Sequence, residues 1–168
     1  MTGPILVAVS VRTAEHVFAH AVAASRERGA SIMLLNVIDT ASCFIGAADF
    51  DCGLAMEVMQ AQSRQIVSAA EQWFVSRRCA VDTHVLRLPA YGHTVGQAIA
   101  AFADAIEADL VLLGTTQHDR WLWFRDDIAA EVVRDTRAAV RRVSGPIPAD
   151  PMRRGAPPCT TARATGRA

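Results

Sequence analysis

Apolar residues run unbroken from Ile5 to Val9 and stop at Ser10, and again from Leu110 to Leu113, stopping at Gly114. Strands buried on both faces of a parallel sheet read this way. Between and after these runs the period changes from two to about 3.6. Ala14, Val17, Phe18, Ala21 and Val22 recur at three and four, which predicts a helix capped by Thr13 and ending near Arg28, with Gly29 as its stop. A second strand follows over Ile32 to Ile38. From Asp39 to Gly53 the pattern dissolves into Ser, Gly, Ala and Asp with isolated aromatics, a connection long enough to cover the strand ends as a lid. A helix is expected from Leu54 to Arg78, with Val58, Met59, Ile66, Ala70, Trp73 and Phe74 on one side.

Val81 to Leu88 reads as a strand with polar residues on both faces, which suits a sheet edge. Pro89, Ala90, Tyr91 and Gly92 make a turn, and Thr94 or His93 opens a helix through Val95, Ile99, Phe102 and Ile106. A fourth strand begins at Asp109, a last helix spans Asp126 to Arg137, and Ala138 to Val143 forms a short fifth strand. Alternating strands and helices predict an α/β domain over residues 1–143 with a parallel sheet and right-handed crossovers. Residues 144–168 hold five of the seven prolines together with Arg153, Arg154, Arg163 and Arg167, a composition expected to leave a disordered Pro/Arg-rich tail.

The order and spacing of three segments resemble a universal stress protein: Ile5 to Val9; Gly29 to Asp39 (Gly-Ala-Ser-Ile-Met-Leu-Leu-Asn-Val-Ile-Asp); and Ala108 to Thr115. Ala129-Ala130-Glu131-Val132-Val133 follows at the matching distance. The resemblance implies a five-stranded parallel sheet of order 3-2-1-4-5 with helices on both faces, the universal stress protein or adenine nucleotide alpha hydrolase-like fold, and a homodimer. It further implies an ATP motif, G-x2-G-x9-G-[S/T], after the fourth strand, and an aspartate ending the first strand to hold the ribose. Those positions carry Gly114, Gln117, Asp127 and Ile128, and the strand end carries Ser10.

Glycines at such places let backbone amides approach phosphate oxygens with no side chain between. Each lost hydrogen bond to a charged oxygen is worth about 1.5–3 kcal/mol, so two or three losses weaken a site by on the order of a hundredfold to several thousandfold or more. Asp127, beside Asp126, adds negative charge where a triphosphate would lie. The reading is therefore a degenerate nucleotide cleft lined by Val9, Ser10, Val37, Ile38, Gly114 and Thr115, with no required cofactor. The alternative is an ATP- or AMP-binding sensor in which Arg120 and Arg125 replace the glycine loop.

Composition narrows the chemistry. The chain of 168 residues is 51% hydrophobic, enough for a core without staples. Seventeen basic and 17 acidic residues balance, which argues against general affinity for nucleic acid or acidic membranes. Every basic residue is arginine, so no lysine is available as a phosphate clamp, Schiff base or general base. No nucleophile pair is recognisable either, so the chain is not expected to be an enzyme. Cys43, Cys52, Cys79 and Cys159 lack any C-x-x-C pair, and no apolar run is long enough to span a membrane. Reduced thiols and a cytoplasmic location are expected.

Several residues remain as candidates. Trp121-Leu122-Trp123-Phe124 either closes over the cleft or staples the start of the last helix to the sheet edge, or, if exposed, forms a patch for a protein partner. His16 and His20 have the four-residue spacing of a helical metal pair but no evident third ligand, and a solvated helix face is the plainer reading. Tyr91, His93 and His118 could gather near the strand ends. Cys43 and Cys52 flank the expected lid. A homodimer is expected through self-pairing of Ala138 to Val143, favoured by Val140 and Val143, opposed by Arg141 and Arg142, and limited in length by Pro146 and Pro148.

Overall fold

The computed structural model describes residues 2–40, 52–88, 92–114 and 128–145. Their elements alternate as β1 (Ile5–Ala8), α1 (Glu15–Arg28), β2 (Ile32–Ile38), α2 (Cys52–Val75), β3 (Val81–Arg87), α3 (Val95–Ala105), β4 (Leu110–Gly114), α4 (Ile128–Asp135) and β5 (Ala139–Val143). All strand pairs are parallel and the sheet runs β3-β2-β1-β4-β5. The expected architecture and strand order are both present. The lid segment after Thr40, the aromatic run Trp121 to Phe124 and the tail from residue 146 lie outside the described residues.

Alternation along the strands divides the core in two. Ile5, Val7, Val9, Ile32, Leu34, Leu110 and Leu112 face α1 and α2, meeting Val17, Phe18, Val67, Ala70 and Phe74. Leu6, Leu35, Val111 and Leu113 face the other way, onto Ile99, Ala103 and Val132 of α3 and α4. Both faces are covered, which is why the central runs contain almost no polar residue. Under α1 and α2 the rings of Phe18, Trp73 and Phe74 pack with centroids 5.1–5.4 Å apart, and the Arg77 guanidinium lies 3.7 Å from the Trp73 ring. β3 is an edge strand, as its mixed polarity predicts, with Asp82 to Val85 exposed.

Some expectations are corrected. Thr13 does not cap α1, because its hydroxyl accepts the Ser10 amide at 2.8 Å, and Ala14 occupies the cap position. Val58 is 59% exposed rather than buried. The reason is its place around the helix: Val58 falls on the same side of α2 as Gln62, Gln65, Ala69 and Gln72, all exposed, whereas Ser63, Val67, Ala70 and Phe74 line the buried side. The thiols are not all reduced. Cys79, 1% exposed at the foot of β3, is disulfide-bonded. Irregular cysteine spacing along the chain carries no information about which sulfurs the fold brings within bonding distance. Other local readings hold: Gly29 ends α1 in the left-handed region at φ 62°, and Thr94 forms a full capping box with Gln97 at the start of α3.

Candidate functional site

In an open parallel sheet, ligands bind beyond the carboxyl ends of the strands where the winding reverses, here between β1 and β4. Register brings the expected residues to this edge. Ala8 lies opposite Leu35 on one side and Leu113 on the other, so Val9 is flanked by Asn36 and Gly114, and Ser10 by Val37 one step further out. Five of the six sequence-predicted residues are thus at the strand ends, and the sixth, Thr115, lies outside the described residues. So do Gln117, Arg120, Arg125 and Asp127. Ile128, the last motif position, opens α4 and is 39% exposed.

The end of β1 is already hydrogen-bonded internally. The Val9 amide donates to Leu35 O at 2.8 Å, and its carbonyl accepts from Asn36 Nδ2 at 2.7 Å. Ser10 closes a tight turn: its carbonyl accepts from the Thr13 amide at 3.1 Å, and its hydroxyl oxygen accepts from the Arg12 amide at 3.3 Å and lies 3.4 Å from Thr13 Oγ1. Where a ribose-binding carboxylate would stand, the strand therefore presents a neutral hydroxyl engaged in starting α1. Gly114 has a packing role as well, since a Cβ there would lie 3.1 Å from Val17 Cγ2.

The end of β2 is similarly tied down. Ile38, 6% exposed, accepts the Leu88 amide on its carbonyl at 3.0 Å, and the buried Thr40 hydroxyl donates to Leu88 O at 3.0 Å. Val37 is half-buried on the opposite face, beside α3 and α4. Beneath this rim sits a buried polar group that the sequence reading missed. Asn36 Oδ1 accepts a short hydrogen bond from Ser63 Oγ on α2, with the two residues only 6% and 2% exposed. The readable signal was Asn36 itself, the one polar residue on the inward face shared by Ile32, Leu34 and Ile38. Ser63 carries the same mark, four residues before Val67 on the buried stripe of α2.

A second polar centre joins α3 and α4. Thr94 Oγ1 donates to Glu131 Oε2 at 2.6 Å while accepting from the Gln97 amide, so the Glu131 carboxylate sits against the first turn of α3. Asp104, near the other end of α3, accepts from the Thr136 hydroxyl at 2.7 Å and the Arg137 amide at 3.0 Å, and these bonds hold its carboxyl below the ordinary carboxylate range.

Of the histidines, His20 Nε2 bonds Gly145 O at 3.0 Å, whereas His16 Nε2 is buried without a hydrogen-bond partner among the described residues. Among the described residues no three His, Cys, Asp or Glu side chains converge as metal ligands. His93 is exposed beside Gly92, and its expected companions Tyr91 and His118 lie outside the described residues. No described helix is long and apolar enough to cross a membrane.

The sequence profile of the universal stress protein family matches residues 1–140. No curated protein matches the chain in sequence. Among solved structures, a universal stress protein family member from Burkholderia pseudomallei is 19% identical with a TM-score of 0.66, covering 84% of this chain and 95% of its own. A universal stress protein from Archaeoglobus fulgidus in complex with dAMP is also 19% identical, with a TM-score of 0.60 over 83% of this chain and 96% of its own. Another universal stress protein, in complex with cAMP, is 13% identical with a TM-score of 0.56, covering 86% of this chain and 98% of its own.

Proposed function

The chain belongs to the universal stress protein family, and on that premise we propose that it is a cytoplasmic, non-catalytic regulatory protein that acts through other proteins and does not bind ATP tightly. The observation that carries this reading is Ser10. It ends β1 with a neutral hydroxyl, and its amide, carbonyl and hydroxyl are all engaged in the turn that begins α1. A nucleotide arriving at this edge gains no charge-assisted bond from the strand end, and such bonds are the strong ones. Gln117, Asp127 and Ile128 in place of the small motif residues act in the same direction. Protein contacts are assigned to Trp121 to Phe124, and self-association to Ala138 to Val143.

A second reading, a nucleotide sensor that uses Arg120 and Arg125 in place of the glycines, is favoured by the dAMP and cAMP held in the two solved family members. Isothermal titration with ATP and AMP decides between them. The first reading expects no saturable heat for either ligand up to millimolar concentration. Micromolar binding of either would replace it with the second.

A further inference from the structure

The solvent side of α2 carries a pattern of its own. From Leu54, steps of four and three residues lead through Val58, Ala61, Gln65, Ser68 and Gln72 to Val75, on the side of the helix opposite the buried Ser63, Val67, Ala70 and Phe74. Every residue on this line is exposed and none is charged; Leu54, Val58 and Val75 are 61%, 59% and 61% exposed. The spacing is that of a heptad, by which one helix packs along another. Beside the line runs a row of charge. Glu57, Arg64 and Glu71 are the charged residues of α2, seven apart, and exposed Arg78 continues the row in the turn past the helix end. Neighbours in the row are about 10 Å apart along the axis. No opposite charge lies three or four residues from any of the three within α2, so the row gains nothing from pairing along its own helix.

Because its signs alternate, the row is complementary to itself when reversed. In an antiparallel pair of these helices, Val58 set against the partner's Val75 brings Gln65 against the partner's Ser68 and Ala61 against the partner's Gln72. The same register places Arg64 beside the partner's Glu71 and Glu57 beside the partner's Arg78, and the two-fold axis repeats both pairs. A parallel arrangement would set the row against the partner's Gln62, the partner's Ala69 and the partner's Ser76, with no ion pair. We propose that the solvent face of α2 docks on the same face of a second copy of this chain, as an antiparallel helix pair keyed by Arg64 and Glu71.

Exposed ion pairs are individually weak, so their part is to set direction and register, while the valines at each end supply the apolar burial. Polar Gln65 and Ser68 in the middle lower the affinity and reinforce the register. α2 packs on β2 and β3, at the other side of the sheet from β5, so this contact leaves Ala138 to Val143 available. Added salt screens its attractions, the reverse of the effect on the like charges of Arg141 and Arg142.

The chain has no lysine, so Arg64→Lys introduces a single side-chain amine at the contact. A carbodiimide, which joins an amine to a carboxylate only where the two touch, should convert this full-length variant into a covalent dimer. Peptide mapping should find the new amine joined to Glu71 of the other chain, and adding Glu71→Gln should remove the product. In sedimentation, Arg64→Glu and Glu71→Arg should each weaken association about tenfold, because each puts like charges together twice per dimer. An equimolar mixture of these two variants should associate as the native chain does, since the altered charges then face opposite signs across the two-fold. The proposal is overturned if no covalent dimer forms up to millimolar chain, if the amine is joined to a carboxylate other than Glu71, or if the mixture associates no better than either variant alone.

Discussion

Single residues in this protein often carry a polar function inside an apolar pattern. Asn36 spans Val9 O and Ser63 Oγ, joining β1, β2 and α2 below the strand ends. Ser63→Ala leaves Asn36 Oδ1 buried without its donor, and such a loss costs about 1–3 kcal/mol. Urea unfolding of the variant should show a reduced midpoint with an unchanged slope. Asp104 offers a pH test. Its carboxyl is held low by Thr136 and the Arg137 amide. A depressed folded pKa gives stabilisation that is complete above the unfolded value of about 3.9 and lost as pH falls through the folded one. Asp104→Asn should therefore lower the thermal midpoint at pH 7, with the gap to the native chain narrowing below pH 4. Asn36 was visible in the sequence as a polar break in an apolar run. Its two partners were not, because they come from 27 residues away in either direction.

At the level of elements, helices and strands follow the hydrophobic period closely, while their ends follow local hydrogen bonds. Thr94 caps α3 because Gln97 stands three residues on, a signature readable in sequence. Glu131 reaching that same cap from α4 is a tertiary event. It requires Gly96, where a Cβ would lie 2.6 Å from Glu131 Cβ as well as 2.3 Å from its Oε2. A side-chain tip could swing away, but a clash with Cβ obliges α4 itself to move. Gly96→Ala should destabilise the protein by about 1–3 kcal/mol, measured by thermal unfolding. Loss of protection in α4 amides by hydrogen exchange would locate the damage.

At the scale of the whole molecule, β5 is the last strand of the sheet among the described residues, with Ala139, Arg141 and Arg142 exposed. Two-fold pairing of this strand would bring like charges close, and their repulsion shrinks as salt shortens the Debye length. Sedimentation at micromolar concentration is expected to show a dimer that tightens between 20 and about 300 mM salt; a monomer under both conditions would remove β5 self-pairing from the proposal. Period and order of apolar segments determined the α/β class and the place of each strand and helix, because burial on two faces constrains every residue of a central strand. The motif substitutions at Ser10 and Ile128 were equally plain in the chain. Only tertiary structure decided that Asn36 meets Ser63, that Glu131 reaches the cap of α3, and that Cys79 is bonded. Each of these depends on which atoms lie within a few ångströms across a long stretch of chain, a distance that local pattern does not encode.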